Sequence, residues 1–225
     1  MDAFLVTELV SIHAAAIILC IVLLRFMIEP YRLTRESRYL GLPLGFGFLA
    51  FSHFLSALTF YTPVPYQAVV VYLQLFARSF AFAFLAFTYY FSKKPSKNSR
   101  ILWNITFSIL IVALAMSFIL VVGSPQFDVS TYQAGEICTR VFNVACLTYI
   151  TVHTTRTYLD DRKNTAKWLP AGYSLFAVSQ LLVLIWVFSL NINIFIAAMA
   201  LLLLGLAVLV VGSYLAFYRP NIEET

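Results

Sequence analysis

Seven times along this 225-residue chain the composition turns apolar for about twenty residues, the length an α-helix needs to cross roughly 30 Å of hydrocarbon. The stretches fall at roughly 4–27, 40–61, 66–91, 101–122, 132–156, 168–189 and 193–218. Gly123-Ser-Pro-Gln126, Tyr61-Thr-Pro-Val-Pro65 and Lys93-Lys-Pro-Ser96 carry turn residues between them. A soluble domain has about 25% charged residues, whereas this chain has 11% charged and 61% hydrophobic. The expected fold is therefore an all-α integral membrane protein: a seven-transmembrane-helix bundle forming one membrane domain over residues 1–225. The first apolar run has neither a basic start nor a small-residue cleavage site, so it reads as a full span rather than a cleavable signal.

The net charge of +5 is distributed by side rather than clustered as a nucleic-acid footprint. Arg25, Arg32, Arg35 and Arg38 follow the first span, and Lys93, Lys94, Lys97 and Arg100 follow the third. Arg156, Arg162, Lys163 and Lys167 follow the fifth, and Arg219 follows the seventh. The segments on the other side contain no Lys or Arg. Basic loops face the cytoplasm, which predicts an outside N-terminus, an inside C-terminus and a multi-pass protein of the cell membrane. The expected environment is the lipid bilayer, with homo-oligomeric or membrane-complex partners and no nucleic acid. Cys20, Cys138 and Cys146 show no metal or redox spacing and read as small packing residues.

Within this layout one segment occurs twice. Gly41-Leu-Pro-Leu-Gly-Phe46 returns 127 residues later as Trp168-Leu-Pro-Ala-Gly-Tyr173, and Phe48–Leu55 aligns without a gap on Leu175–Leu182. Leu42, Pro43, Gly45, Ala50, Ser52 and Leu55 are repeated identically. An internal duplication follows: repeat A over 1–92, a linker span over 101–122 and repeat B over 132–219, the two repeats entering the membrane in the same direction. Tyr90-Phe-Ser-Lys93 falls opposite Phe217-Tyr-Arg-Pro220 at the same offset, whereas the first and fifth spans match weakly. Pro43, Gly45, Pro170 and Gly172 are hinge candidates, although proline in the first turns of a helix is also well tolerated.

Charge inside hydrocarbon costs about 2.5–3.5 kcal/mol per residue on insertion scales, so the four charged residues within spans need partners or a role. They are Glu8, Arg78, Glu136 and Arg140, which sum to neutrality. Glu136, Arg140 and Asn143 make one helical stripe, and Gln67, Gln74 and Arg78 another. By helical rise, Glu8 and Glu136 lie about 5 Å below the outer surface, His13, His53 and Arg140 about 12 Å, and Arg78 about 18 Å. In the repeat, His53 corresponds to Gln180 and His13 to Arg140. These observations predict a ligand-binding polar pocket in the outer half of the bundle, lined by Glu8, His13, His53, Gln74, Arg78, Glu136, Arg140 and Gln180. The bland alternative is interhelical glue, in which such groups merely satisfy one another.

Three functions fit that pocket. The parallel three-plus-one-plus-three layout resembles that of SWEET-type sugar transporters, which implies a small-solute site between the repeats. The single Pro-Gln dipeptide, at 125–126, lies in a loop rather than in a repeat, so no residue carries over from that family. Seven helices with an outside N-terminus are also the layout of microbial rhodopsins. Span seven has no Lys, which excludes a retinal Schiff base and leaves a sensor for another ligand. The third is an electron-transfer subunit binding haem b through His13 and His53. No catalytic motif points to an enzyme, and no metal is implied outside that haem.

Overall fold

The computed structural model describes residues 3–92, 97–123, 129–161 and 167–218, and the described residues form helices joined by short turns. Seven helices are long: α1 (Ala3–Met27), α3 (Gly41–Thr59), α4 (Val64–Ser92), α5 (Lys97–Gly123), α6 (Val129–Asp161), α7 (Trp168–Ser189) and α8 (Ile192–Tyr218). A short α2 (Glu29–Thr34) and a 3-10 turn (Ser37–Leu40) link α1 to α3. The basic residues Lys93, Lys94, Arg162, Lys163 and Arg219, and the 125–126 dipeptide, lie outside the described residues.

Six of these helices are long and apolar enough to cross a membrane. The exception is α6, where the sequence reading expects the fifth of seven spans. Its 33 residues include Glu136, Arg140, Asn143, His153 and a run of threonines, which dilute its apolar character.

Six long helices close into a ring. α1 packs on α3, α3 on α4, α4 on α6, α6 on α7, α7 on α8, and α8 returns to α1. Among the described residues α5 stands outside the ring, packed on α4 and the 3-10 turn, with Phe118 reaching Phe51 of α3 at 6.3 Å between ring centroids. It inserts Trp103 beside Phe91 and Phe107 and turns Ile105, Ile109, Val112, Met116 and Ile119 outward. Such an outward apolar face suits lipid rather than water.

The buried stripes of the ring coincide at the offset of the repeated hexapeptide. On α1 the buried residues are Leu9, His13, Ala16, Cys20, Leu23 and Met27. On α6 they are Glu136, Arg140, Asn143, Leu147, Ile150 and Thr154, each 127 positions further on. The same offset carries buried Gly45, Phe46, Leu49, Ser52, His53 and Ser56 of α3 onto buried Gly172, Tyr173, Phe176, Ser179, Gln180 and Val183 of α7. The faces of α1 and α6 agree although their sequences barely do, because helix packing fixes which side is buried and leaves the side chains free to diverge.

The third helix of each half follows a different offset. A Cβ on Gly45 would lie 2.6 Å from Leu85 Cγ, and one on Gly172 would lie 2.5 Å from Leu209 Cγ. Ser52 Oγ donates to the Gln74 carbonyl at 3.2 Å, and Ser179 Oγ to the Ala198 carbonyl at 2.8 Å. Both comparisons relate α4 to α8 by 124 positions, so the alignment of Tyr90 with Phe217 at 127 is corrected. The turn between α7 and α8, residues 190–191, is two residues shorter than that between α3 and α4, residues 60–63, which accounts for most of the three-residue change of offset. The same glycines bear on the hinge candidates: their observed role is to let neighbouring helices approach closely. Pro43 and Pro170 each occupy the third position of their helices, where the N–H has no intrahelical acceptor to lose.

The ring interior has two levels. At the end where α3 and α7 begin, Leu23, Met27, Phe46, Phe82, Leu85, Ile150, Tyr173, Phe176, Leu206 and Leu209 form a continuous apolar core. At the opposite end, where α1, α4, α6 and α8 begin, buried polar groups share the interior with a second, smaller apolar cluster of Val183, Ala198 and Met199, packed against Ile12, Leu182, Trp186 and Phe195.

Candidate functional site

The polar level is assembled from five helices. From α1 and α3, His13 and His53 meet with their Nδ1 atoms 3.2 Å apart and their ring centroids 5.5 Å apart. From α4, Arg78 is 2% exposed and donates from Nε to Ser52 Oγ at 3.1 Å and from Nη2 to Ser56 Oγ at 3.3 Å. From α6, Arg140 donates from Nη2 to Glu136 Oε1 and from Nη1 to Gln180 Oε1 of α7, both at 3.3 Å. The groups share one electrostatic environment: the charges of Arg140 and Glu136 act on Arg78, and those of Arg78 and Arg140 on His53.

His13, His53, Arg78, Glu136, Arg140 and Gln180 are thus all buried and all in this level. Gln74 is half-buried at its edge and contributes its backbone carbonyl to Ser52. Glu8 departs from the expectation: it is exposed. The buried stripe of α1 begins at Leu9, and one residue earlier lies about 100° round the helix, off the inward face. Equal depth with Glu136 placed it in the cluster by sequence, but its counterpart at the repeat offset is Gly135, whereas Glu136 matches Leu9. Gln67 is exposed for a similar reason, at the start of α4 beyond the packed part of the ring.

The loss of Glu8 changes the charge of the site. Two guanidiniums remain against one carboxylate, and that carboxylate is engaged by Arg140 at 3.3 Å. Among the described residues no carboxylate reaches salt-bridge distance of Arg78, so its guanidinium is held by two serine hydroxyls. The cluster carries one uncompensated positive charge rather than none.

Several polar atoms of this level are buried without a hydrogen-bond partner: His53 Nε2, Arg140 Nε, Asn143 Oδ1 and Gln180 Nε2. Their residues are all at least 96% buried. A buried unpaired donor or acceptor costs about 1–3 kcal/mol; four such atoms gather in this cluster, while the hydroxyls of Ser79, Thr151 and Ser213 are buried singly without a partner elsewhere.

Ser52, Ser56 and Ser179, which hold the arginine and the helix contacts, are absent from the sequence-derived set. Ser52 and Ser179 had a signal, since they are one of the six identical pairs in the repeat. Ser56, four residues on, adds the polar i, i+4 step on an apolar helix.

The geometry does not fit haem b. Axial ligation by two histidines requires the macrocycle between the ligating nitrogens, whereas His13 and His53 contact each other directly, and Phe60 packs against His13 with centroids 6.5 Å apart. His53 Nε2 faces away from that contact in a fully buried position. No group of three or more His, Cys, Asp or Glu suited to a metal occurs among the described residues.

Below the apolar core, Tyr89 and Tyr173 meet hydroxyl to hydroxyl at 3.2 Å, joining α4 to α7. His153 lies half-buried against Tyr89 and Tyr149, with centroids 5.7 and 6.1 Å away. Cys20 is buried in the core, Cys146 half-buried and Cys138 exposed, all as free thiols.

A helical bundle with six helices apolar and long enough to span a bilayer is a polytopic membrane protein. Comparison with protein-family models, curated proteins and solved structures gives no match to this chain.

Proposed function

We propose that the chain is a seven-span protein of the cell membrane that binds, and as a transporter moves, a small polar solute at the polar level of its helix ring. The buried, partnerless atoms of His53, Arg140, Asn143 and Gln180 carry this reading, because helices that only cement one another leave few such atoms.

The remaining features support it. α6 serves as the seventh span: its charges lie on the inward stripe, while Val141, Phe142, Tyr149 and Val152 face outward. The basic residues after α1, α4, α6 and α8 orient the polar level toward the outside. The coincident buried faces of α1 and α6, and of α3 and α7, favour two parallel three-helix repeats, with α5 as linker. A site between two such repeats, closed on one side by an apolar layer, suits alternating access by rocking of the halves.

Solvent access tests the reading. Gln180→Cys, in a background with Cys20, Cys138 and Cys146 replaced by alanine, should react with uncharged methyl methanethiosulfonate applied from outside the cell. A thiol that is protected from outside in the folded protein would mean a sealed interior, and the solute site would be wrong.

A further inference from the structure

We infer that the solute of this site is a small oxyanion, of the carboxylate or phosphate class, held between Arg78 and Arg140. The inference rests on the reading of the polar level as a solute site and adds the chemistry of what enters it.

Charge is the first ground. With Glu8 outside the cluster, Arg78 and Arg140 are opposed only by Glu136, and Arg78 has no carboxylate within 4.0 Å among the described residues. A buried guanidinium is expensive unless its charge is met, and two serine oxygens meet its hydrogen-bonding needs but not its charge. Among the described residues, that leaves one positive charge of the cluster without a carboxylate.

The second ground is the sign of the unmet hydrogen bonds. Arg140 Nε and Gln180 Nε2 are donors. His53 Nε2 becomes a third when its Nδ1 accepts from His13 Nδ1–H, one of the two tautomer pairs that the 3.2 Å contact allows. Within this cluster, among the described residues, the one unmet acceptor is Asn143 Oδ1, on an amide whose oxygen and nitrogen are interchangeable by rotation. A cluster short of acceptors and of negative charge matches an oxyanion, which brings both. A neutral sugar would bring acceptors but no charge and would add donors of its own, and a cation would bring charge of the wrong sign.

The repeat gives the third ground. Positions 78 and 202 correspond, yet the second half has buried Leu202 where the first has Arg78. Positions 13 and 140 correspond, and there it is the second half that carries the arginine. Each half contributes one guanidinium from a different helix, so the two charges belong to opposite repeats. An anion held by both bridges the repeat interface, the place where relative movement of the halves is coupled to binding.

The experiment uses three methanethiosulfonates that differ in charge: the anionic sulfonatoethyl, the cationic trimethylammonioethyl and the uncharged methyl compound. The target is Asn143→Cys in the alanine-for-cysteine background, with Gln180→Cys as a second site should the first variant not elute as a single species. A site of net positive charge should favour the anionic over the cationic reagent by roughly tenfold to a hundredfold. Adding Arg78→Gln should reduce that ratio to near one; both charged rates are taken relative to the uncharged reagent's in the same variant, which corrects for the change in thiolate fraction. Equal rates for both charged reagents, or a faster cationic one, would overturn the oxyanion and leave the solute site standing. Failure of all three reagents at both positions would overturn the solute site, and the oxyanion with it.

Discussion

Arg140 Nη1 and Gln180 Oε1 lie 3.3 Å apart across forty residues of chain, and His13 meets His53 across the same forty residues at 3.2 Å. The two contacts are related by the same 127-residue offset, one between α1 and α3 and the other between α6 and α7. If the two sets of helices are one backbone frame used twice, it carries an imidazole pair on one side and a guanidinium–amide pair on the other.

If the frame is duplicated, its closest helix contacts should respond alike to the same insult. Gly45→Ala and Gly172→Ala each place a methyl within 2.6 Å of a leucine Cγ. Both should destabilise by about 1–3 kcal/mol, measured by thermal unfolding in detergent. Leu85→Ala should partly rescue the first and Leu209→Ala the second, while the crossed combinations should rescue neither.

The serines separate the shared frame from the site. Ser52 bonds both a backbone carbonyl and Arg78, whereas Ser179 bonds only the carbonyl of Ala198. In a double-mutant cycle for stability, Ser52→Ala should couple to Arg78→Gln by about 0.5–2 kcal/mol. Ser179→Ala should be additive with Arg78→Gln.

Much of this was legible before any coordinates. The i, i+4, i+7 stripe of Glu136, Arg140 and Asn143 faces inward as its spacing implied, because a polar stripe on an apolar helix has only one inexpensive direction. The pairing of His53 with Gln180 and of His13 with Arg140 followed from the hexapeptide alone. Glu8 was misplaced because depth was used without azimuth: one residue of difference from the repeat offset turns a side chain to another face. The third helices were misregistered by three residues because the ends of α4 and α8 resemble each other by chance more than by packing. Only the shortened turn at 190–191 reveals it, and in a uniformly apolar helix three positions leave little trace.

That turn has its own consequence. Leu190 closes α7 in the left-handed region at φ 51°, its N–H bonded to the Trp186 carbonyl at 2.8 Å. A side chain there costs about 1–2 kcal/mol, and the residue is 77% exposed, so its packing offsets little of this. Leu190→Gly should raise the unfolding temperature, with a gain of about 1 kcal/mol.

Topology is tested by thiol labelling of Asp128→Cys and Lys97→Cys in the cysteine-free background. An impermeant reagent should reach the first only from outside and the second only from inside. Labelling of both from the same side would remove α5 as a span.

The central claim is that Arg78 is kept for a solute and not for cohesion, and Arg78→Gln decides it through stability alone. As glue, the guanidinium's two serine bonds would be worth about 1–2 kcal/mol each, and their loss would lower the unfolding temperature of the purified protein. As a site residue it carries a charge that no described carboxylate meets, at an insertion cost of about 2.5–3.5 kcal/mol, which neutral glutamine removes. The account predicts an unfolding temperature that is unchanged or higher in Arg78→Gln. A fall of several degrees would contradict it.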